Sequence, residues 1–342
     1  MNTVQIQDIA EFTRSFPLAG DLTGSRFLIT GATGLIGSTL VRCLSALDKG
    51  IEITCPVRNI VKAEALFGAD NRNIHFIECE LLKYLEGLTA SETFDYIVHC
   101  ASPTAGSYMT EHPVETYELA IDSTKALLRY AKEMNARGLV YVSSLEYYGQ
   151  NFDDRLITED MQGYIDPADS RSSYPLGKRA AEYLCCSYVK EYGVNAMIAR
   201  LTQTFGAGVS ADDKRVFAQF ARSIVNGTDI VLHTTGEAAK PYCYTTDCIS
   251  AILHILLKGE RGEAYNVANE QTYISIRDMA EFLRDNFNPE VEVRVELHPE
   301  MGYAPVTKLH LSAQKLMALG WKPGYGLKEM YRKLIESMTN ER

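Results

Sequence analysis

Phe27-Leu28-Ile29-Thr30-Gly31-Ala32-Thr33-Gly34-Leu35-Ile36-Gly37 runs from an apolar triplet into a glycine-rich turn. Phe27-Leu28-Ile29 is the kind of short apolar run that forms a buried strand, and residues 38–47 that follow carry helical spacing. The segment therefore reads as strand, tight turn and helix, one β-α unit. Its three glycines have separable jobs: one permits the sharp reversal, one lets backbone amides approach a pyrophosphate, and one lets helix pack on strand. The helix N-terminus then faces the anion. Gly31, Thr33, Gly34, Leu35, Ile36 and Gly37 are thus candidate ligands for a dinucleotide.

The same pattern repeats along the chain. Further strands are readable at 52–55, 74–77, 96–99, 139–142 and 196–199, with helical patterns between most of them and a late strand at 264–267. Short, almost wholly apolar strands alternating with helices predict an α/β fold, a doubly wound parallel sheet of Rossmann type. Residues 25–201 with 244–268 are expected to form this NAD(P)-binding domain. Residues 202–243 and 269–342, richer in Gly, Pro and charge, are expected to form a smaller substrate-binding cap. Residues 1–24 read as a docked helix, with Ile6, Ile9 and Phe12 at helical spacing, followed by a turn-rich extension.

With 342 residues, 46% of them hydrophobic, the chain can bury one large core or a core and a cap. Its formal charge of -10 argues against a nucleic-acid or anionic-membrane surface, so small-molecule partners are expected. No run approaches the roughly 18 apolar residues of a membrane span, and the start lacks the pattern of a secretory signal, so the chain reads as cytoplasmic. Cysteines 43, 55, 79, 100, 185, 186, 243 and 248 are scattered in apolar segments and read as reduced core thiols. The seven histidines form no ligand cluster, so no metal site is expected.

Hydride chemistry is suggested by Tyr174-Pro175-Leu176-Gly177-Lys178. On a helix, positions i and i+4 share a face, so the Lys178 ammonium can sit beside the Tyr174 phenol and favour its ionised form. A tyrosine so treated becomes a usable base near neutral pH. The end of the second strand reads Pro56-Val57-Arg58-Asn59, where NAD binders place an acidic residue. Arg58 would grip the 2'-phosphate of NADP; equally, Arg58 would be a solvated surface arginine and Asn59 would bond the ribose of NAD.

Thr30-Gly31-Ala32-Thr33-Gly34-Leu35-Ile36-Gly37, Ser143-Ser144 with Tyr148-Gly149, and Tyr174 with Lys178 together resemble the extended short-chain dehydrogenase/reductase superfamily, in its NAD-dependent nucleotide-sugar epimerase/dehydratase branch. Residues 163–182 and Asp213-Lys214-Arg215-Val216 are similar to UDP-glucuronate decarboxylases. The resemblance implies a nucleotide-sugar substrate, a tightly bound NAD or NADP, and transient oxidation at sugar carbon 4. Tyr174 would take the 4-hydroxyl proton, Ser144 would bond the same oxygen, and Lys178 would bind the nicotinamide ribose. Glu146 would act after the oxidation. In 4,6-dehydratases an Asp-Glu pair stands here, but this chain reads Leu145-Glu146, so a leaving hydroxyl lacks its acid. Otherwise Glu146 would cap local backbone or pair with Arg171.

By the same resemblance Gln203 replaces the family's asparagine, and Lys240 and Lys308 stand where relatives often place a diphosphate-binding arginine. Arg215 would then be the main diphosphate ligand and Tyr242 would stack on the nucleobase; equally, each would be surface packing. Ala101 and Ser102 line the adenosine half, Glu80-Leu81 occupies the adenine-binding place, and His99 ends a strand beneath the cofactor. A homodimer through helices at 123–132 and 179–191 is also implied. Two other readings stay open: an NADPH-dependent nucleotide-sugar or carbonyl reductase, and a non-catalytic NAD(P) sensor.

Overall fold

Seven strands line up in parallel in the computed structural model, which describes residues 1–68, 72–89, 91–103, 106–150, 153–297 and 306–340. Across the sheet they run Ala264–Val267, Ala196–Leu201, Gly138–Ser144, Tyr96–His99, Arg26–Thr30, Glu52–Val57 and Ile74–Glu78. The first strand in the chain lies between the second and the fourth, so winding proceeds outward in both directions from it. The crevice beyond the carboxyl ends of strands Arg26–Thr30 and Tyr96–His99 is the topological switch point, where ligands bind in such sheets.

The apolar runs are explained by burial on both faces. Phe27 and Ile29 face a core shared with Ile53, Val98, Val140 and helix Thr245–Lys258. Leu28 points the other way, with Ile97, Leu139 and Ile198, against helices Pro113–Met134 and Ser173–Tyr192. The expected doubly wound sheet is therefore the one found. One boundary differs: the first helix is Leu35–Ala46, because Gly34 takes an extended conformation as its N-cap and Leu35-Ile36-Gly37 already form the first helical turn.

Beyond the sheet lies a second, aromatic core of Phe205, Phe217, Tyr242, Tyr244 and Tyr331. Around it stand a three-stranded sheet ordered Asn269–Ser275, Ala239–Tyr244, Gln203–Phe205 and helices Val216–Asn226, Ile276–Phe287 and Leu327–Asn340. Strand Ala239–Tyr244 passes directly into helix Thr245–Lys258, which packs on the parallel sheet.

The N-terminal helix, Thr3–Ser15, starts in a capping box between Asn2 and Gln5. Val4, Asp8 and Phe12 are buried and Ile9 packs on the core, so of the expected stripe Ile9 and Phe12 dock while Ile6 is 54% exposed. The reason is polar. Asp8 accepts hydrogen bonds from Lys333 Nζ at 2.8 Å and Tyr244 Oη at 2.5 Å, and Glu11 accepts from Lys333 at 3.1 Å and Tyr325 at 2.7 Å. No helix among the described residues is long and apolar enough to cross a membrane.

Candidate active site

The glycine turn is shaped by close approach. Gly31 has φ 70°, and a Cβ there would stand 2.7 Å from the Ala101 amide nitrogen, across the switch point. A Cβ on Gly37 would collide with the Gly31 carbonyl. No side chain caps helix Leu35–Ala46, so its first-turn amides are open to an anion, with Thr33, Leu35 and Ile36 partly exposed beside them. The cradle fits the pyrophosphate of a dinucleotide.

Beneath it runs a buried chain of hydrogen bonds. Ser123 Oγ donates to the Leu119 carbonyl at 2.5 Å, so it accepts from His99 Nε2 at 2.9 Å. His99 Nδ1 then accepts from Thr30 Oγ at 2.6 Å, and Thr30 in turn accepts the Ala101 amide at 3.2 Å. Burial, aided by Lys178, pushes the His99 pKa down to about 3. A neutral imidazole so tied orders the turn beneath the cofactor site.

At the adenosine end, Asn59 Oδ1 accepts the Lys62 amide at 2.8 Å, and the two Glu80 oxygens accept the amides of Leu82 at 3.0 Å and Lys83 at 2.8 Å. Both residues are helix N-caps. Leu81 begins the helix that Glu80 caps, and Arg58 stands exposed. Ser102 acts on the Tyr174 phenol, favouring its ionised form.

Ser144 closes strand Gly138–Ser144, and Tyr174 lies in the first turn of helix Ser173–Tyr192. Lys178 Nζ is 5.4 Å from the centre of the Tyr174 ring and 4.8 Å from that of Tyr141, and it donates to the Val142 carbonyl at 2.8 Å. Burial pulls the Lys178 ammonium down to about 8, against the pull of Cys100, Glu182 and Glu146. Tyr174 is held above the usual phenol range, by burial and then by the Glu146 carboxylate, while Ser144 and Ser102 favour its ionised form. The expected lowering by Lys178 is thus not what the chain's own groups produce. The ammonium is anchored on a carbonyl under the ring, and a carboxylate stands nearer the phenol's electrostatic balance.

Glu146 opens to the cleft, walled by protein that raises its pKa, with Lys240 and Lys178 drawing it back. Burial lowers the Lys240 pKa and Glu146 opposes that shift, so a carboxylate on the sheet side and an ammonium on the cap side act on each other across the cleft. The Glu146 amide goes to Ser144 Oγ at 3.2 Å. Leu145 is buried with Tyr148, Leu309 and Leu311 and does not face the cleft.

A buried network supports this turn. Arg200 pairs with Glu182 at 2.8 Å, lies 3.5 Å over the Tyr147 ring and donates to Tyr148 Oη, while Ser143 donates to Glu182 at 2.5 Å. Arg179 holds the Tyr147 and Gly163 carbonyls. Sequence reasoning missed Glu182 as the partner. The signal was Arg200 itself, a charge inside the apolar run Ala196–Leu201 that requires a buried carboxylate.

The cap residues are placed differently. Gln203 is partly exposed at the start of its strand, in register with Tyr242. Tyr242 is 3% exposed and packs edge-on against Phe205, so it has no open face for a nucleobase, a correction that follows from the aromatic core. The Arg215 guanidinium is forked on Asp213 and lies 4.8 Å from the Phe217 ring centre. Lys308 Nζ is 2.8 Å from Asp154, which also accepts the Tyr273 hydroxyl.

The model of the NAD dependent epimerase/dehydratase family matches residues 27–268. The chain belongs to this family. Among curated members, it is 27% identical over 332 residues to UDP-glucuronic acid decarboxylase 6 of Arabidopsis thaliana, covering 93% of this chain and 92% of the relative. It is 26% identical to UDP-glucuronic acid decarboxylase 1 of Danio rerio, over 96% of this chain and 77% of that one. Among solved structures, a UDP-glucose 4-epimerase of Thermotoga maritima with UDP-glucose matches with TM-score 0.78 and 20% identity, over 92% of this chain and 99% of that one. A dTDP-glucose 4,6-dehydratase of Bacillus anthracis in complex with NAD gives TM-score 0.77 and 19% identity, over 93% and 97%. As an epimerase/dehydratase family enzyme, the chain uses a nicotinamide dinucleotide.

Proposed function

We propose that this enzyme decarboxylates a nucleotide-linked uronic acid by transient oxidation at sugar carbon 4. The observation that carries the reading is the convergence of Ser144, Ser102 and Lys178 on Tyr174, with Glu146 and Lys240 facing each other beside it. The relatives named UDP-glucuronic acid decarboxylases support it. A nicotinamide dinucleotide held at Gly31, Gly34 and Gly37 would supply a hydride acceptor that later returns the hydride.

Tyr174 takes the proton of the 4-hydroxyl, with Lys178 supplying positive charge beneath the ring and Ser144 orienting the oxygen. The resulting 4-ketone weakens the bond between carbon 5 and the carboxylate. That bond breaks, carbon dioxide leaves, and the electron pair moves to the carbon 4 oxygen as an enolate. Having taken that proton, Tyr174 stays protonated, since burial holds its phenol above the usual range, and with Ser144 and Ser102 it hydrogen-bonds the enolate oxygen. Glu146, its carboxyl raised, delivers the proton to carbon 5. Leu145 offers no acid for a leaving hydroxyl, which speaks against 4,6-dehydration. Gln203, Lys240 and Arg215 line the sugar and diphosphate side.

The test is incubation of purified enzyme with UDP-glucuronic acid and, separately, UDP-glucose, with products resolved by mass spectrometry. Release of carbon dioxide from the uronate without net use of dinucleotide supports the proposal; epimerised UDP-glucose with an untouched uronate overturns it. One residue favours a second reading: Arg58 suits an NADPH-dependent reductase, which stoichiometric NADPH consumption would select. We also infer a homodimer through helices Pro113–Met134 and Ser173–Tyr192, which pack together and leave Val114, Tyr117 and Tyr183 exposed. Light scattering on the purified protein measures it.

A further inference from the structure

Two buried charges outside the cleft meet beside the junction of cap and sheet. Helix Thr3–Ser15 lies before the residues matched by the family model and helix Leu327–Asn340 after them, yet the two pack together and share the pair Asp8–Lys333, each side chain 4% exposed. Taking both charges out of water costs much of what their attraction returns, so the pair is a weak source of stability. The rest of the docked stripe is apolar: Phe12 and Phe16 sit in the sheet core, and Phe16 meets His254 of helix Thr245–Lys258 edge-on. One helix thus holds the sheet with its aromatic side chains and the cap with its carboxylates.

The second oxygen of Asp8 reaches the junction itself. Tyr244 Oη donates to Asp8 Oδ2 at 2.5 Å and accepts the Ala207 amide at 3.4 Å. Tyr244 ends strand Ala239–Tyr244, and the next residue begins helix Thr245–Lys258. Ala207 follows strand Gln203–Phe205, whose Phe205 stands opposite Tyr244 in the ladder. A single phenol is therefore tied to the ends of both strands, and the same two strands carry Gln203 and Lys240. Gln5 fits the helix to this loop: Gly208 has φ 97°, and a Cβ there would collide with the Gln5 side-chain amide. Tyr325 closes the group, its ring centre 4.5 Å from that of Tyr244 and its hydroxyl on Glu11 at 2.7 Å.

We propose that helix Thr3–Ser15 is a positioning brace for the substrate half of the cleft, Asp8 fixing through Tyr244 and Lys333 the strands that present Gln203 and Lys240 to the nucleotide sugar. The part played by Gln203 and Lys240 rests on the function proposed above; the fixing of their strands does not.

The experiment compares wild type with Tyr244→Phe, which keeps the ring, and with Asp8→Leu combined with Lys333→Met, which removes both charges together and strands neither. Hydrogen exchange read by mass spectrometry, and steady-state kinetics with UDP-glucuronic acid, are measured on the full chain. In both variants exchange over residues 203–207 and 239–244 should quicken by about tenfold, while residues 26–30 and 138–144 keep wild-type protection. KM should rise by about fivefold with kcat and dinucleotide affinity little changed. The melting temperature of the doubly substituted protein should stay close to wild type. Unchanged exchange overturns the brace, whether or not the sugar is turned over. Faster exchange with an unchanged KM overturns its role toward substrate, and an equal loss of dinucleotide affinity overturns it in favour of a contact that serves folding alone. If the wild type turns over no UDP-glucuronic acid, the decarboxylase reading fails and the exchange result still decides the brace.

Discussion

The two walls of the cleft hold their polar residues in opposite ways. On the sheet side, Ser144 sits at a strand end and Tyr174 and Lys178 on one helix turn, so short backbone tethers aim them at one another. On the cap side, Arg215 is forked on Asp213, Lys308 on Asp154, and Tyr242 lies in an aromatic core. The sheet wall is set before a ligand arrives; on the cap wall Arg215 and Lys308 are already paired with carboxylates. Spacing along a helix therefore locates the first kind of residue, and only the surrounding partners locate the second.

The contrast is sharpest in Tyr174→Phe, which keeps the ring and removes the ionisable oxygen. Turnover should fall by about 10³-fold or more while dinucleotide binding is retained, measured by single-turnover kinetics beside a binding titration. Glu146→Gln should lower turnover by about 10²-fold and leave reduced dinucleotide in the near-ultraviolet spectrum, since oxidation proceeds and the later proton transfer does not. Wild-type behaviour would assign Glu146 to the turn alone. In the first turn of helix Thr245–Lys258 lies Asp247, whose pKa burial raises to about 7 even though it accepts the Gly324 and Tyr325 amides. A carboxyl raised in the native state binds its proton more tightly than in the unfolded chain. The stability it contributes is thus complete below about pH 4 and is lost as pH rises to about 7. Asp247→Asn should remove that slope from the difference between variant and wild-type urea midpoints across this range.

Smaller effects belong to the cap. Arg215→Ala should raise KM for the nucleotide sugar by about tenfold with kcat little changed, because Asp213 competes for the guanidinium. A change of a hundredfold would show that binding frees Arg215 and would erase the distinction between the walls. Lys308→Ala, an exposed pair, should move KM by less than about threefold.

Most of the sheet was legible because burial on both faces demands unbroken apolar strands, and the Gly31–Gly37 spacing has few other uses. The helix start was misplaced because Leu35 and Ile36 look like turn neighbours of glycine although Gly34 already caps. On the N-terminal helix Ile6 was a poor guide because Asp8, paired with Lys333, takes the inward position. The cap resisted for a physical reason. Gln203–Phe205, Ala239–Tyr244 and Asn269–Ser275 are strands from distant segments, and nothing within three residues of Tyr242 announces that Phe205 will cover it. The same holds around Tyr174: Lys178 is four residues away in sequence, but Glu146 reaches the phenol only through the fold.

Asp8 and Lys333 are separated by 325 positions. On a ribosome, helix Thr3–Ser15 must therefore wait with its acidic face in water until Lys333 has been translated. A helix made early thus finds its place only after a partner made 325 residues later.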